Sequence, residues 1–142
     1  MFLGEHQHSL DTKGRVILPA RHREQLEGGA VVTFQVDGCL AVYAPDAFEG
    51  MAADVTDAAR RNQRGRDVAR AFFANAQNVT PDRQGRVAIP QGLRDLAGLS
   101  RDVTVAGMYD HVEIWDAARW SSHKQAGERE LAEGQTEREE DR

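Results

Sequence analysis

The stretch Asp11-Thr-Lys-Gly-Arg-Val-Ile-Leu-Pro19 occurs a second time in the chain, as Asp82-Arg-Gln-Gly-Arg-Val-Ala-Ile-Pro90. The two copies lie 71 positions apart and share Asp, Gly, Arg, Val and Pro at equivalent places. The similarity continues downstream, where a one-residue shift aligns Val31, Thr33, Leu40, Val42, Tyr43 and Phe48 with Val103, Val105, Val112, Ile114, Trp115 and Trp120. A repeat of this length indicates two copies of one structural unit.

Each copy has the local pattern of a β-hairpin, a short helix and a second β-hairpin. Asp at the first position and Gly at the fourth are typical of a type I turn, and the flanking residues are compatible with short strands. Pro19 and Pro90 suit the first turn of a helix. Asp37-Gly38 predicts a tight turn between two strands. Because one such unit is too small to bury a stable core alone, we expect the two units to pack together and to interleave their hairpins.

Helical signals lie between the two copies and after the second. Asp46 is predicted to cap a helix, with Glu49 in capping-box position. A second helix is predicted over residues 63–75, where Gly65 weakens its start. The end of the chain is predicted to be a solvated helix or disordered, because it is polar all round. The predicted organisation is a first unit at 5–47, a helical connector at 48–75, a second unit at 76–119 and an acidic tail at 120–142.

Composition and charge restrict the class of protein. The chain has 142 residues, of which 40% are hydrophobic and 29% charged. No apolar run is long enough to span a membrane and the start has no secretory pattern, so a cytoplasmic protein is expected. The single cysteine, Cys39, excludes an internal disulfide and a cysteine-based zinc site. The net charge of −5 argues at face value against nucleic acid.

The charge is unevenly distributed along the chain. Residues 121–142 hold four basic and seven acidic side chains, so the tail contributes −3 of the net charge. The remaining body is therefore nearly neutral. Residues 60–70 hold five arginines and one aspartate. This cluster fits a solvated helix face, a position near phosphate, or a contact with acidic groups of a neighbouring subunit.

The paired Asp-x-x-x-Arg motifs, each followed by Val-x-Ile/Leu-Pro, resemble the signature of the MraZ family, as does the opening Met-Phe-Leu-Gly-Glu. The resemblance implies a bacterial transcriptional regulator built from two tandem SpoVT-AbrB-type swapped-hairpin units. The fold class it implies is α+β, mainly β, with both units forming one pseudo-symmetric, barrel-like core. It further implies double-stranded DNA as the partner, bound at repeated promoter sites of the division and cell-wall gene cluster, including the protein's own promoter. A ring-shaped homo-oligomer, association with the nucleoid and repression are implied as well.

Basic side chains at the two turns are the candidate DNA contacts. A β-ribbon fits the major groove, and arginine binds guanine or phosphate through two parallel hydrogen bonds. We therefore predict DNA contacts from Arg15 and Arg86, and from Lys13 and Arg83 at the same turns. Two further pairs complete the predicted site: Gly14 and Gly85 permit close approach of the backbone, and Asp11 and Asp82 orient the arginines. The alternative is that each Asp and Arg form a plain surface ion pair and that the glycines only form turns.

Other classes of function have weaker support. His6 and His8 share one face of a strand, but no third metal ligand is evident, and no glycine-rich phosphate loop occurs. We predict no enzymatic activity, no cofactor, no metal, no membrane contact and no small-molecule substrate. One alternative is an antitoxin-like module whose acidic tail binds a basic toxin. Another is a structural ring protein without a role on DNA.

Overall fold

The computed structural model describes residues 1–140, and the side chains of residues 1–134. The described chain forms eight strands and five α-helices. In chain order they are β1 (Glu5–Ser9), β2 (Arg15–Ile17), α1 (Ala20–Gln25), β3 (Ala30–Phe34), β4 (Leu40–Tyr43), α2 (Pro45–Arg61), α3 (Gln63–Ala74), β5 (Gln77–Val79), β6 (Arg86–Ala88), α4 (Gln91–Leu96), β7 (Asp102–Gly107), β8 (Val112–Asp116) and α5 (Ala117–Glu140). The α+β class is confirmed, but "mainly β" is wrong, since the helices hold more residues than the strands.

The strands form two antiparallel sheets that mix the two units. One sheet has six strands in the order β1-β7-β8-β4-β3-β5, and the other pairs β2 with β6. The strand that precedes each repeated turn therefore pairs within the other unit: β1 with β7, and β5 with β3. The expected interleaving is confirmed. The six-stranded sheet is open, with β1 and β5 at its edges, so the predicted barrel-like core is not confirmed.

The hairpin predicted from the motif itself is wrong for its strands and right for its turn. The turn closes, with the backbone N–H of Asp11 donating to the carbonyl of Arg15 at 3.0 Å. The strands on either side, β1 and β2, then pair with different partners. The physical reason is the length of the ladder that β1 can form. It pairs with β7 over five residues, whereas a hairpin with β2 could pair over only the three residues of that strand.

The strand registers also correct the downstream alignment by one residue. Tyr43 pairs with Val31, and its counterpart Trp115 pairs with Thr104. Val31 thus corresponds to Thr104, and the predicted match to Val103 is wrong. The cause is the shorter loop between β7 and β8, which has four residues where the loop between β3 and β4 has five.

Buried apolar residues from both units form one main core. Val16, Leu18, Val32 and Leu40 of the first unit are at most 3% exposed, as are Val87, Ile89, Val105 and Ile114 of the second. A second cluster, Ala41, Tyr43, Val55 and Phe72, lies between the sheet and the helices α2 and α3. The main core is thus shared between the two units.

The helices differ from prediction at one start and one contact. Pro45 occupies the first turn of α2 and Ala44 is the residue before it, with no side-chain cap. The predicted capping box of Asp46 and Glu49 is therefore wrong, because proline already suits the first helical position. Gly65 has a packing role, since a Cβ there would lie 2.1 Å from the carbonyl oxygen of Ala58 in α2.

The tail is helical as far as it is described. Helix α5 extends to Glu140, and residues 141–142 of the predicted tail lie outside the described residues. Within residues 1–140, no helix combines the length and apolar character needed to cross a bilayer.

Candidate nucleic-acid interface

The pairing of β2 with β6 brings the two repeated motifs onto one two-stranded ribbon. Val16 pairs with Val87 at its centre, Arg15 with Ala88, and Ile17 with Arg86. Both valines are buried, so the alternating residues Arg15, Ile17, Arg86 and Ala88 form the opposite, outward face. We call these four residues the ribbon face. The two arginines are diagonal neighbours on it, about 7–8 Å apart at the backbone.

Each arginine of the ribbon face is held by the aspartate of its own motif. One carboxylate oxygen of Asp11 accepts hydrogen bonds from the backbone N–H groups of Lys13 and Arg15, both at 2.9 Å. The other oxygen accepts from Nε of Arg15 at 2.6 Å. Asp82 repeats this geometry with the N–H groups of Gln84 and Arg86 and with Nε of Arg86 at 2.8 Å. The guanidinium groups are therefore held through Nε.

These contacts keep both carboxylates ionised. The backbone N–H of Arg15, assisted by its guanidinium and the N–H of Lys13, lowers the pKa of Asp11 to about 2. The equivalent donors of Arg86 and Gln84 lower the pKa of Asp82. Because each aspartate engages Nε, the terminal amino groups of Arg15 and Arg86 make no hydrogen bond to any side chain or backbone that the structure describes. They are the donors that a ligand of the ribbon face would meet.

Both turn glycines are covered by an arginine of the other unit. Gly14 and Gly85 have φ of +75° and +79°, a conformation that favours glycine. A Cβ on Gly14 would lie 2.5 Å from Cζ of Arg94, and one on Gly85 would lie 2.2 Å from Cδ of Arg23. The glycines thus permit a close approach of these arginines within the protein, and the close approach to DNA that the sequence predicts stays a prediction.

Arg23 and Arg94 are the site residues that sequence reasoning missed. Nε of Arg23 donates to the carbonyl of Leu18 at 2.9 Å, and Nε of Arg94 to that of Ile89 at 3.0 Å. From these anchors each guanidinium crosses to the turn of the other unit. The available signal was their equivalence in the repeat, since they lie 71 positions apart. Its meaning depends on the strand exchange, which the local pattern does not specify.

The other basic candidates fall into two groups. Lys13 and Arg83 are exposed at the two turns, beside the ribbon face. Arg60, Arg61 and Arg70 belong to the helices α2 and α3, where they form exposed ion pairs with Asp57 and Asp67. The two basic turn residues therefore lie on different elements from the arginine cluster, which belongs to the connector helices and is partly neutralised by their aspartates.

Three histidines lie close together, of which the sequence pattern indicated His6 and His8 but not His22. The rings of His6 and His8 lie 6.5 Å apart between centroids, and the fully buried ring of His22 lies 5.6 Å from that of His6. Among the described residues, no three His, Cys, Asp or Glu side chains are arranged to hold a metal ion.

Comparison with known proteins places this chain in a family. The family model described as "MraZ protein, putative antitoxin-like" matches the chain twice, at residues 1–71 and 72–142. The chain belongs to the MraZ family. Its relatives include the transcriptional regulator MraZ of Thermobifida fusca (strain YX), 46% identical over 133 residues, which are 94% of this chain and 93% of that protein. The transcriptional regulator MraZ of Clavibacter michiganensis subsp. michiganensis (strain NCPPB 382) is 44% identical with the same coverage.

The double match agrees with the repeat found in the sequence, and the resemblance to the MraZ family is confirmed. Among solved structures, PHS018 of Pyrococcus horikoshii covers 80% of this chain and 88% of its own at 16% identity. Its TM-score is 0.32, which is too low to support any argument about this fold.

Proposed function

We propose that this member of the MraZ family is a transcriptional regulator that binds double-stranded DNA through the ribbon face. The observation that carries the proposal is the position of Arg15 and Arg86 on one outward face, each held at Nε by an aspartate. A two-stranded ribbon fits the major groove, where arginine makes paired hydrogen bonds with guanine. The relatives named as transcriptional regulators support this proposal.

The surrounding groups have separate roles in the proposed complex. Lys13 and Arg83 contact backbone phosphates on either side of the ribbon, which fixes its position in the groove. Asp11 and Asp82 orient their arginines and make no contact with DNA, because a carboxylate is repelled by phosphate. Gly14 and Gly85 fix the shape of the turns under Arg94 and Arg23, and bring the turn backbone close to the DNA.

Multiple copies are required for tight binding in this proposal. A chain with a net charge of −5 and few basic contacts binds DNA weakly on its own. A homo-oligomer, in the form of a ring, engages repeated promoter sites so that each later contact gains from a high effective concentration. Repeats about 10 bp apart present equivalent groove faces. The proposed targets are the repeats in the promoter of the division and cell-wall gene cluster, including the protein's own promoter. Occupancy of these repeats represses transcription, and the protein is cytoplasmic and associated with the nucleoid.

Selection of bound fragments from a random DNA pool tests this function with the full chain. The expected result is enrichment of a short sequence that recurs at about one helical turn. A pool that stays random after several rounds would contradict sequence-specific binding and favour a structural ring protein.

The antitoxin-like alternative is supported by the acidic tail and by the wording of the family description. Purification of the full chain from its native host distinguishes the two. A basic protein recovered in stoichiometric amount would favour the antitoxin-like module over the regulator.

A further inference from the structure

An apolar groove lies on the connector helices, formed by residues other than those of the ribbon face. It has a volume of about 360 Å³ and lies between α2, α3 and the end of β3, lined mainly by Phe34, Val36, Met51, Val55, Val68 and Phe72. Val36 and Val68 remain 76% and 54% exposed. Exposed apolar surface that is concave and continuous is typical of a binding site for another protein segment.

A positively charged residue shares the face of α3 that carries Val68 of the groove. Arg64 precedes Val68 by four residues in α3, so the two side chains share a helix face. Arg64 is exposed. Its neighbours Arg60, Arg61 and Arg70 are paired with aspartates of their own helices, whereas Arg64 has no ion pair within residues 1–134. The groove thus combines an apolar floor with a cation one helical turn away.

Helix α5 carries a complementary pattern on an exposed face. After Trp120, Leu131 is the one large apolar residue in the sequence, and it is 66% exposed. Glu128 precedes Leu131 by three residues and therefore lies on the same face. Gly127 lies on that face as well, with no atom within 4 Å of the place of a Cβ. Most helical stability in proteins comes from tertiary packing of one helix face, and Leu131 is the large apolar residue that this part of α5 offers for such packing.

We infer that the groove receives α5 from a second copy of this chain, with Leu131 against Val68 and Glu128 opposite Arg64. The spacings agree, because each charge lies one helical turn from its apolar residue. The positive charge of Arg64 and the acidic tail are complementary. The contact is between copies, since Leu131 is exposed within its own chain. The inference rests on the proposed homo-oligomer and adds to it the two surfaces that join the copies.

Disulfide formation between differently tagged copies tests the contact directly. One copy carries Val68→Cys and the other Leu131→Cys, and the mixture is oxidised mildly. The native Cys39 does not interfere, because it is buried and burial raises the pKa of its thiol to about 12. We expect a cross-linked pair that contains both tags. The matched control replaces Val68→Cys by Arg70→Cys, two positions away on another face of α3, and is expected to cross-link far less. Equal cross-linking in the two mixtures would overturn the inference.

Charge reversal provides the second measurement, with the molar mass in solution determined by light scattering. Arg64→Glu and Glu128→Arg are each expected to weaken self-association by about tenfold or more, and the double variant is expected to restore it. A wild-type chain that is monomeric would overturn both the homo-oligomer and this inference. A wild-type oligomer that shows neither the cross-link nor the rescue would overturn the inference alone. Far-ultraviolet circular dichroism confirms that each variant is folded.

Discussion

Two guanidinium groups, those of Arg23 and Arg94, lie directly on the turn glycine of the opposite unit. Each contact joins a short helix of one unit to the motif of the other. The glycines are needed there twice, once for their positive φ and once for the space the arginine occupies. A local sequence motif is thus stabilised by a contact between units.

Gly14→Ala is expected to destabilise the protein by about 1–3 kcal/mol, because alanine is strained at this φ and its Cβ would displace Arg94. Urea unfolding followed by circular dichroism measures the change. Gly92→Ala in α4 is the matched control, since nothing lies within 4 Å of a Cβ there. It is expected to be neutral or to stabilise the protein by up to about 1 kcal/mol. Equal effects from the two substitutions would contradict the proposed role of the Gly14 contact.

The histidine group makes stability depend on pH. Burial lowers the pKa of His22, against a smaller opposing contribution from the backbone of Leu3, and neighbouring cations including His6 lower it further. Burial and His6 likewise lower the pKa of His8. Because the unfolded chain then binds more protons than the folded one, stability is full above the ordinary pKa of about 6.5 and is lost as the pH falls below it.

His22→Leu is expected to reduce this loss of stability between about pH 7.5 and pH 5, because an uncharged residue of similar size replaces a buried titrating one. The measurement is the free energy of unfolding in urea at several pH values. His123→Leu, at an exposed position of α5, serves as the control and is expected to keep the acid sensitivity of the wild type. An unchanged pH profile in His22→Leu would show that this histidine is not its source.

At the level of elements, the helices α2 and α3 meet at a position where only glycine fits. The missing Cβ of Gly65 lets the backbone of α3 approach the carbonyl of Ala58. This close approach fixes the angle at which the two helices meet, and with it the walls of the apolar groove.

Gly65→Ala is therefore expected to destabilise the protein by about 2 kcal/mol or more, because the new Cβ would overlap backbone that cannot rotate away. Gly50→Ala lies inside α2 with open space around its Cβ and is expected to stabilise by up to about 1 kcal/mol. Thermal unfolding of both variants measures the difference. If Gly65→Ala were as stable as Gly50→Ala, the helix contact described here would be wrong.

The sequence predicted the elements better than their partners. The repeated motif specifies a turn through its aspartate and glycine, and the turn is present in both copies. The partner of β1 depends on which strand of the whole chain offers the longest ladder, and the local motif does not contain this information. The exchange of strands between the units was therefore expected only because one unit is too small to form a stable core. The capping prediction failed at Asp46 because Pro45 outweighs a side-chain cap at the start of α2.

In the candidate site, too, contacts within one motif could be predicted from the sequence and contacts between the two units could not. The spacing of Asp11 and Arg15 allowed an ion pair to be expected, and that pair is present. The meeting of Arg15 and Arg86 on one ribbon was beyond the local pattern, because it requires β2 and β6 to pair between units. Arg23 and Arg94 were missed for the same reason.

For the whole molecule, the uneven charge explains how an acidic chain can bind DNA. The acidic excess lies mostly in the tail, while basic groups surround the ribbon face at the turns. Neither unit contains the complete ribbon, since each supplies one strand. The proposed interface therefore exists only when both repeats are folded together.

Lys13→Ala and Arg83→Ala test the phosphate contacts. Each loss of one phosphate contact is expected to reduce the slope of log affinity against log salt by about one, without changing the preferred DNA sequence. Fluorescence anisotropy over a series of salt concentrations gives the slope. A shifted sequence preference with an unchanged slope would mean that these residues read bases.

We propose that Arg15 and Arg86 on the ribbon face bind DNA. The most direct test is the affinity of the Arg15→Ala/Arg86→Ala double variant for the DNA recovered by selection, measured by fluorescence anisotropy beside the wild type. Each arginine is expected to be worth about 1–3 kcal/mol, so the double variant should bind at least tenfold more weakly while unfolding at the same urea concentration. The control Arg61→Ala/Arg70→Ala removes the same charge from exposed helix positions and should bind nearly as the wild type does. A double variant that binds like this control would contradict DNA binding by the ribbon face.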